Sequence, residues 1–107
     1  MRQDHARGQL DLLLLCVLTD GPAHGYAVIS RLRAASDGVF DLPEGTVYPA
    51  LHRLEGTGLV VSQWQDSGER RRRVYEITTA GNRALAAKRA QWRSFARGVQ
   101  SVLAGAT

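Results

Sequence analysis

The stretch Glu44-Gly-Thr-Val-Tyr-Pro-Ala-Leu-His-Arg-Leu-Glu-Gly-Thr-Gly58-Leu-Val60 reads as a short helix that ends in glycine and runs straight into a strand. Val47, Ala50, Leu51 and Leu54 fall at i, i+3, i+4 and i+7, so they form one buried face and leave Thr46, Tyr48, His52 and Arg53 directed elsewhere. Gly56 and Gly58 supply the backbone freedom of a helix C-cap and a sharp exit, and Leu59 to Trp64 is rich in β-formers. Pro49 constrains where the helix begins. In a helix interior it removes a hydrogen bond and crowds the preceding turn, at a cost of roughly 3 kcal/mol. A helix that starts near Gly45 or Thr46 places Pro49 within about the first turn, where its missing N–H matters little. The same placement leaves free N–H groups and the positive helix end beside Thr46 and Tyr48, a natural phosphate site.

Toward the N-terminus, Leu10, Leu13, Leu14, Val17 and Leu18 form the stripe of a first helix, which Asp20-Gly-Pro22 terminates. A second helix is expected from about His24 to Ala35, with Val28, Ile29 and Leu32 packed on the first and Ser36-Asp-Gly38 as the turn that follows. Toward the C-terminus, Asp66-Ser-Gly68 marks a hairpin turn and Val74-Tyr-Glu-Ile77 its return strand. Thr78 or Thr79 then caps a last helix. The sum is a mainly α fold with a small β-hairpin wing. Residues 1–8 read as a flexible N-terminal arm, 9–78 as a winged helix-turn-helix, and 79–105 as a C-terminal dimerisation helix.

Gly45-Thr-Val-Tyr-Pro-Ala-Leu-His-Arg-Leu-Glu55, followed by Gly58-Leu-Val, resembles the signature of PadR-like transcriptional regulators. His24-Gly-Tyr26, Arg73-Val-Tyr-Glu-Ile-Thr-Thr-Ala-Gly81 and a closing helix with a tryptophan are similar to the same family in the same order, so the resemblance covers roughly residues 9 to 103. It implies a winged helix-turn-helix homodimer that represses transcription and, in some members, binds small molecules at the dimer interface. Two features depart from the family pattern. The region between the wing strands is unusually arginine-dense, and the chain carries one C-terminal helix, as in the shorter branch of the family.

Composition agrees with a polyanion-binding protein. The 107 residues suit one domain with a modest core, for which oligomerisation adds burial. Fourteen Lys and Arg against ten Asp and Glu give a net charge of +4, and Arg70-Arg-Arg-Arg73 concentrates much of it at the hairpin. Cys16, the single cysteine, lies in a leucine run and reads as a small buried apolar residue, so no intrachain disulfide is possible. Residues 1–8 contain no apolar signal core and the leucine run is too short to span a bilayer, which predicts a cytoplasmic protein without membrane association.

Double-stranded DNA is therefore the expected partner. Tyr48 and His52, at i and i+4, are the candidates for base-edge or phosphate contacts, with Thr46 and Arg53 holding the backbone. In the wing, Arg70, Arg71, Arg72 and Arg73 alternate between two faces, so either Arg71 with Arg73 or Arg70 with Arg72 contacts phosphate; a bulge would reverse the phase. His24 and Tyr26 read as fixing the start of the second helix, the alternative for Tyr26 being an approach to DNA or to the dimer cavity.

In the last helix, Leu85, Trp92, Phe95, Ala96, Val99, Val102 and Leu103 form a stripe longer than a small core can cover, which predicts a homodimer interface. Trp92 and Phe95 read either as plain interface core or as a stacking surface for a small planar aromatic effector. His5, Cys16, His24 and His52 have no metal-ligand spacing, and no nucleophile or acid/base constellation is present, so neither a cofactor nor an enzyme activity is expected. The competing class is a winged-helix protein-interaction or dimerisation module that does not read DNA.

Overall fold

The computed structural model describes residues 2–105, with side chains for 8–66 and 68–105. The elements are α1 (Arg2–Leu18), β1 (Ala23–His24), α2 (Gly25–Ala35), α3 (Glu44–Gly56), β2 (Val60–Ser67), β3 (Arg70–Ile77) and α4 (Thr79–Gly105). The strands form one antiparallel sheet in the order β1-β3-β2.

Helices α1, α2 and α3 enclose the core, closed on one side by the base of the sheet. Val47, Ala50, Leu51 and Leu54 of α3 are all buried, as their spacing requires, against Leu14, Leu15 and Leu18 of α1 and Val28 and Leu32 of α2. Leu15 is also fully buried, although it lies off the expected α1 stripe. The reason is that α1 touches α2, α3, α4 and β3, so more than one of its faces is covered.

Four expectations need correction. First, α1 reaches back to Arg2, so the stretch read as an arm over 1–8 is helical from there, and Met1 lies outside the described residues. Arg, Gln and Ala are good helix formers, and no proline interrupts them, so the helix runs through Gly8. Second, α3 begins at Glu44 and Pro49 is its sixth residue, beyond the first turn. The Gly45 carbonyl thus loses its helical partner, but Gly45 is exposed and water can satisfy it. Third, the two residues before α2 form a third strand. Ala23 pairs with Tyr75 and His24 with Val74, giving the free edge of β3 a partner. Fourth, Leu85 is a core residue at 3% exposure rather than part of an external stripe. It lies in the part of α4 that packs on α1 and β3.

The hairpin pairs residue for residue from Val60↔Ile77 to Ser67↔Arg70, without a bulge, around a two-residue turn at Gly68-Glu69. Gly68 has φ +65°, which a two-residue hairpin turn requires and glycine adopts at no steric cost. At the root of the hairpin, Thr78 caps α4 by accepting from the Gly81 N–H at 3.0 Å while donating to the Gly58 carbonyl at 2.7 Å. A Cβ on Gly81 would overlap the Leu59 carbonyl oxygen, so α4 and the wing approach more closely than any other residue permits.

Helix α4 has 27 residues, or about 40 Å at 1.5 Å per residue. Of these only Gly81 and Leu85 are buried, and the molecule measures 58 × 28 × 24 Å. Trp92, Phe95, Val99, Val102 and Leu103 are all exposed, with Ala96 half-buried beside them. No helix among the described residues is long and apolar enough to cross a membrane.

Candidate nucleic-acid interface

The exposed edge of α3 consists of Glu44, Gly45, Thr46, Pro49, His52 and Gly56. Pro43 precedes the helix without a side-chain cap, and its carbonyl takes the N–H groups of Thr46 and Val47 at 3.0 and 3.1 Å. The first N–H groups of the helix therefore point outward beside Thr46. Thr46 and His52 are exposed on this edge.

Tyr48 and Arg53 do not. Tyr48 is half-buried with its ring against Gly25, where a Cβ would overlap it, so Gly25 is required for α2 and α3 to meet. Burial, followed by the Glu44 carboxylate, raises the Tyr48 phenol above its ordinary range, and Arg72 opposes this. Arg53 turns away from the exposed edge to form a close ion pair with Asp11 of α1. Its guanidinium ties α3 to α1, because Asp11 is the more buried partner and needs a counter-charge.

The regular register resolves the phase of the wing arginines. Arg71 and Arg73 share a face with Ser62, Trp64 and Asp66, and Arg70 and Arg72 occupy the other. On the first face, Arg73 donates to the Ser62 hydroxyl at 2.7 Å and lies 3.5 Å from the Glu55 carboxylate, while Arg71 lies 3.7 Å from Asp66. Both guanidinium groups also stack against Trp64, at 5.4 and 5.1 Å from its ring centroid. On the second face, Arg72 Nη1 is 2.8 Å from His24 Nε2, and the charge of Arg70 reaches Tyr26. The neighbouring Glu44 carboxylate raises the Tyr26 phenol pKa above its ordinary range. Arg72 thus meets the N-terminal end of α2.

His24 is the pivot of this junction. Its Nδ1 accepts from the Ala27 N–H at 3.3 Å and so caps α2. A neutral imidazole has a single acceptor nitrogen and an imidazolium has none, so the cap and the Arg72 contact compete. Burial first, then Arg72 and Arg31, hold the imidazole pKa below its usual value. Arg31 itself donates to the Gly21 and Pro22 carbonyls and fixes the turn that leads into β1.

Glu55, Ser62, Trp64 and His24 carry the junction between helix and wing, and sequence reading assigned none of them to the interface. The signal available for Trp64 was the hairpin register, which depends on whether the turn lies at Gly68-Glu69 or one residue earlier. Elsewhere, Cys16 is half-buried rather than buried and accepts from Arg89 at 3.3 Å. Among the described residues no three His, Cys, Asp or Glu side chains gather as a metal site, and the side chain of His5 lies outside those residues.

The model of the transcriptional regulator PadR-like family matches residues 14–87, which run from the C-terminal end of α1 into the first part of α4 and include the whole junction. The chain belongs to the PadR-like family. Transcriptional regulator Rv3488 of Mycobacterium tuberculosis is 37% identical over 106 residues, covering 96% of each chain. The crystal structure of a PadR family transcriptional regulator from Eggerthella lenta superposes with a TM-score of 0.78 at 35% identity, over 96% of this chain and 88% of that one. Bacillus subtilis PadR, whose structure was determined in complex with operator DNA, shares the fold at TM-score 0.67 and 22% identity. It aligns with 73% of this chain and 45% of its own. The PadR-like family and these relatives are transcriptional regulators, not enzymes. The three-stranded sheet and four helices are accordingly a PadR-like winged helix.

Proposed function

We propose that this PadR-like regulator is a repressor that binds a palindromic DNA operator as a homodimer. The observation that carries the reading is the run of four arginines on β3, Arg70 to Arg73, set beside the N-terminal end of α2, where Arg72 lies 2.8 Å from His24. Cationic side chains and outward N–H groups at one end of the molecule suit a run of phosphates. Thr46 and His52 are assigned to the groove or its backbone, and of the wing arginines Arg71 and Arg73 to phosphate, with Arg70 and Arg72 on the opposite face beside α2. Tyr48 is assigned a role in holding α3 against α2, with its hydroxyl near the phosphates. Arg53 supports the helix through Asp11.

The second copy is assigned to the exposed α4 stripe of Trp92, Phe95, Ala96, Val99, Val102 and Leu103. Two-fold symmetry then places the recognition helices about one helical turn of DNA apart, in two half-sites. Trp92 and Phe95, with ring centroids 5.7 Å apart, would meet their symmetry mates and could stack on a small planar aromatic effector. Such a ligand lowers DNA affinity only by preferring a helix spacing that does not fit the operator. A cytoplasmic location follows from this role.

The test is enrichment of genomic fragments by the purified protein, followed by salt titration of the enriched duplex. Retention of specific fragments with inverted repeats is expected. Uniform recovery of all fragments would remove the operator reading.

A further inference from the structure

Trp64 lies mid-strand on the wing with 55% of its surface exposed, and its neighbours single it out. Arg73 stands directly across the hairpin and Arg71 one diagonal step away. Their guanidinium carbons lie 5.4 and 5.1 Å from the ring centroid, inside the about 6 Å range of a cation–π contact. A guanidinium held by its face keeps its N–H donors free, because those donors lie in its plane. A carboxylate partner does the reverse, since it consumes the donors a phosphate would need. Asp66 and Glu55 reach the two arginines only at 3.7 and 3.5 Å, and Ser62 takes the Nε–H of Arg73 alone, at 2.7 Å, so the indole is the partner that orders both guanidinium groups without occupying their Nη donors.

We propose that Trp64 is a positioning residue for DNA binding: its indole holds Arg71 and Arg73 side by side with their Nη donors presented to the phosphate backbone. This rests on the DNA-binding reading above. Neighbouring arginines would otherwise splay apart by mutual repulsion, and each would surrender its rotamer freedom on reaching a phosphate. Ordering them beforehand transfers that cost from binding to folding.

Salt titration of the full chain on a fluorescein-labelled duplex of mixed sequence reads both affinity and the number of phosphate contacts. Trp64→Leu keeps apolar bulk but removes the aromatic face. It is expected to weaken binding about three- to tenfold with the salt slope unchanged, because the arginines still reach phosphate. Trp64→Tyr restores affinity to within about twofold. Arg71→Ala/Arg73→Ala lowers the slope by roughly one for each lost contact, and in that background Trp64→Leu has no further effect.

Unchanged affinity in Trp64→Leu overturns the proposal, as does an equal loss in both backgrounds, which would make the indole a contact or a fold residue in its own right. A parent that binds no duplex at any salt removes the DNA reading itself, a result distinct from either of these. Nuclear magnetic resonance of the free protein tests the stack separately. The Nε–H signals of Arg71 and Arg73 are expected upfield through the ring current and back at ordinary positions in Trp64→Leu. Ordinary positions in the parent overturn the stack.

Discussion

Glu55, in the last turn of α3, accepts hydrogen bonds from both the backbone N–H and the hydroxyl of Ser62 on β2, at 3.1 and 2.6 Å. The same Ser62 hydroxyl accepts from Arg73 across the hairpin. One carboxylate therefore fixes the angle between helix and wing, and the wing cannot swing without breaking charge-assisted bonds.

The Ser62 hydroxyl bond lowers the pKa of Glu55 below the usual carboxylate range, with burial opposing and Arg73 assisting. The folded state thus favours the charged form. The stability this contributes is complete above the ordinary carboxylate range and is lost as the pH falls through and below it. Glu55→Gln should cost about 1 kcal/mol near pH 7 and flatten the acid limb of the stability profile. Thermal melts of both proteins across that range provide the check, and parallel limbs would dissociate Glu55 from it.

His24 titrates in a higher window. Its folded pKa lies below the ordinary value for histidine, chiefly through burial, so the unfolded chain takes up the proton first. Its contribution is present above about pH 6.5 and falls away as the pH drops through the folded value. The imidazolium can neither cap Ala27 nor accept from Arg72. His24→Asn, which retains a capping oxygen, should show less stability loss between about pH 7 and pH 5 than the parent. Equal losses would place the titration elsewhere.

Gly81→Ala should be among the most damaging single-methyl changes in the protein. The added Cβ meets a backbone carbonyl, which cannot rotate aside as a side chain could. A loss at the upper end of about 1–3 kcal/mol is expected, visible as a lower denaturation midpoint. Gly98→Ala is the control, since a Cβ there meets nothing within 4 Å, and it should be neutral or slightly stabilising by helix propensity.

Val99→Asp should convert the proposed dimer to a monomer without unfolding it, because Val99 is exposed within one chain yet central to the outward stripe of α4. Light scattering gives the mass and circular dichroism the helix content. A dimer of unchanged strength would assign the interface to another face. In a Trp64→Phe background, Trp92 fluorescence should be quenched by a planar aromatic compound that also releases DNA.

Much of the fold was legible because its signals are local. The buried face of α3 follows from four apolar residues at helical spacing. Gly58 and Gly68 have positive φ at the helix exit and the hairpin turn where glycine is called for, and the closing helix occupies Thr79–Gly105. Each of these depends on residues a few positions apart, so periodicity and turn chemistry suffice to read them. The sequence alone also placed the cationic run in the wing, although the return strand expected at Val74 begins four residues earlier, at Arg70.

Which partner each polar side chain takes was decided only by tertiary structure. Arg53 looks like a free surface cation in its helix, but it meets Asp11, 42 positions away. Arg72 finds His24 across 48 positions, and Leu85 belongs to the core rather than to the stripe that continues beyond it. The cause is the same in each case. Helical and strand periods specify which face a residue occupies, whereas its neighbour on that face is set by how whole elements dock, and docking responds to the summed burial of the core. A two-residue strand such as β1 is the limiting example, since only the open edge of β3 makes it a strand at all.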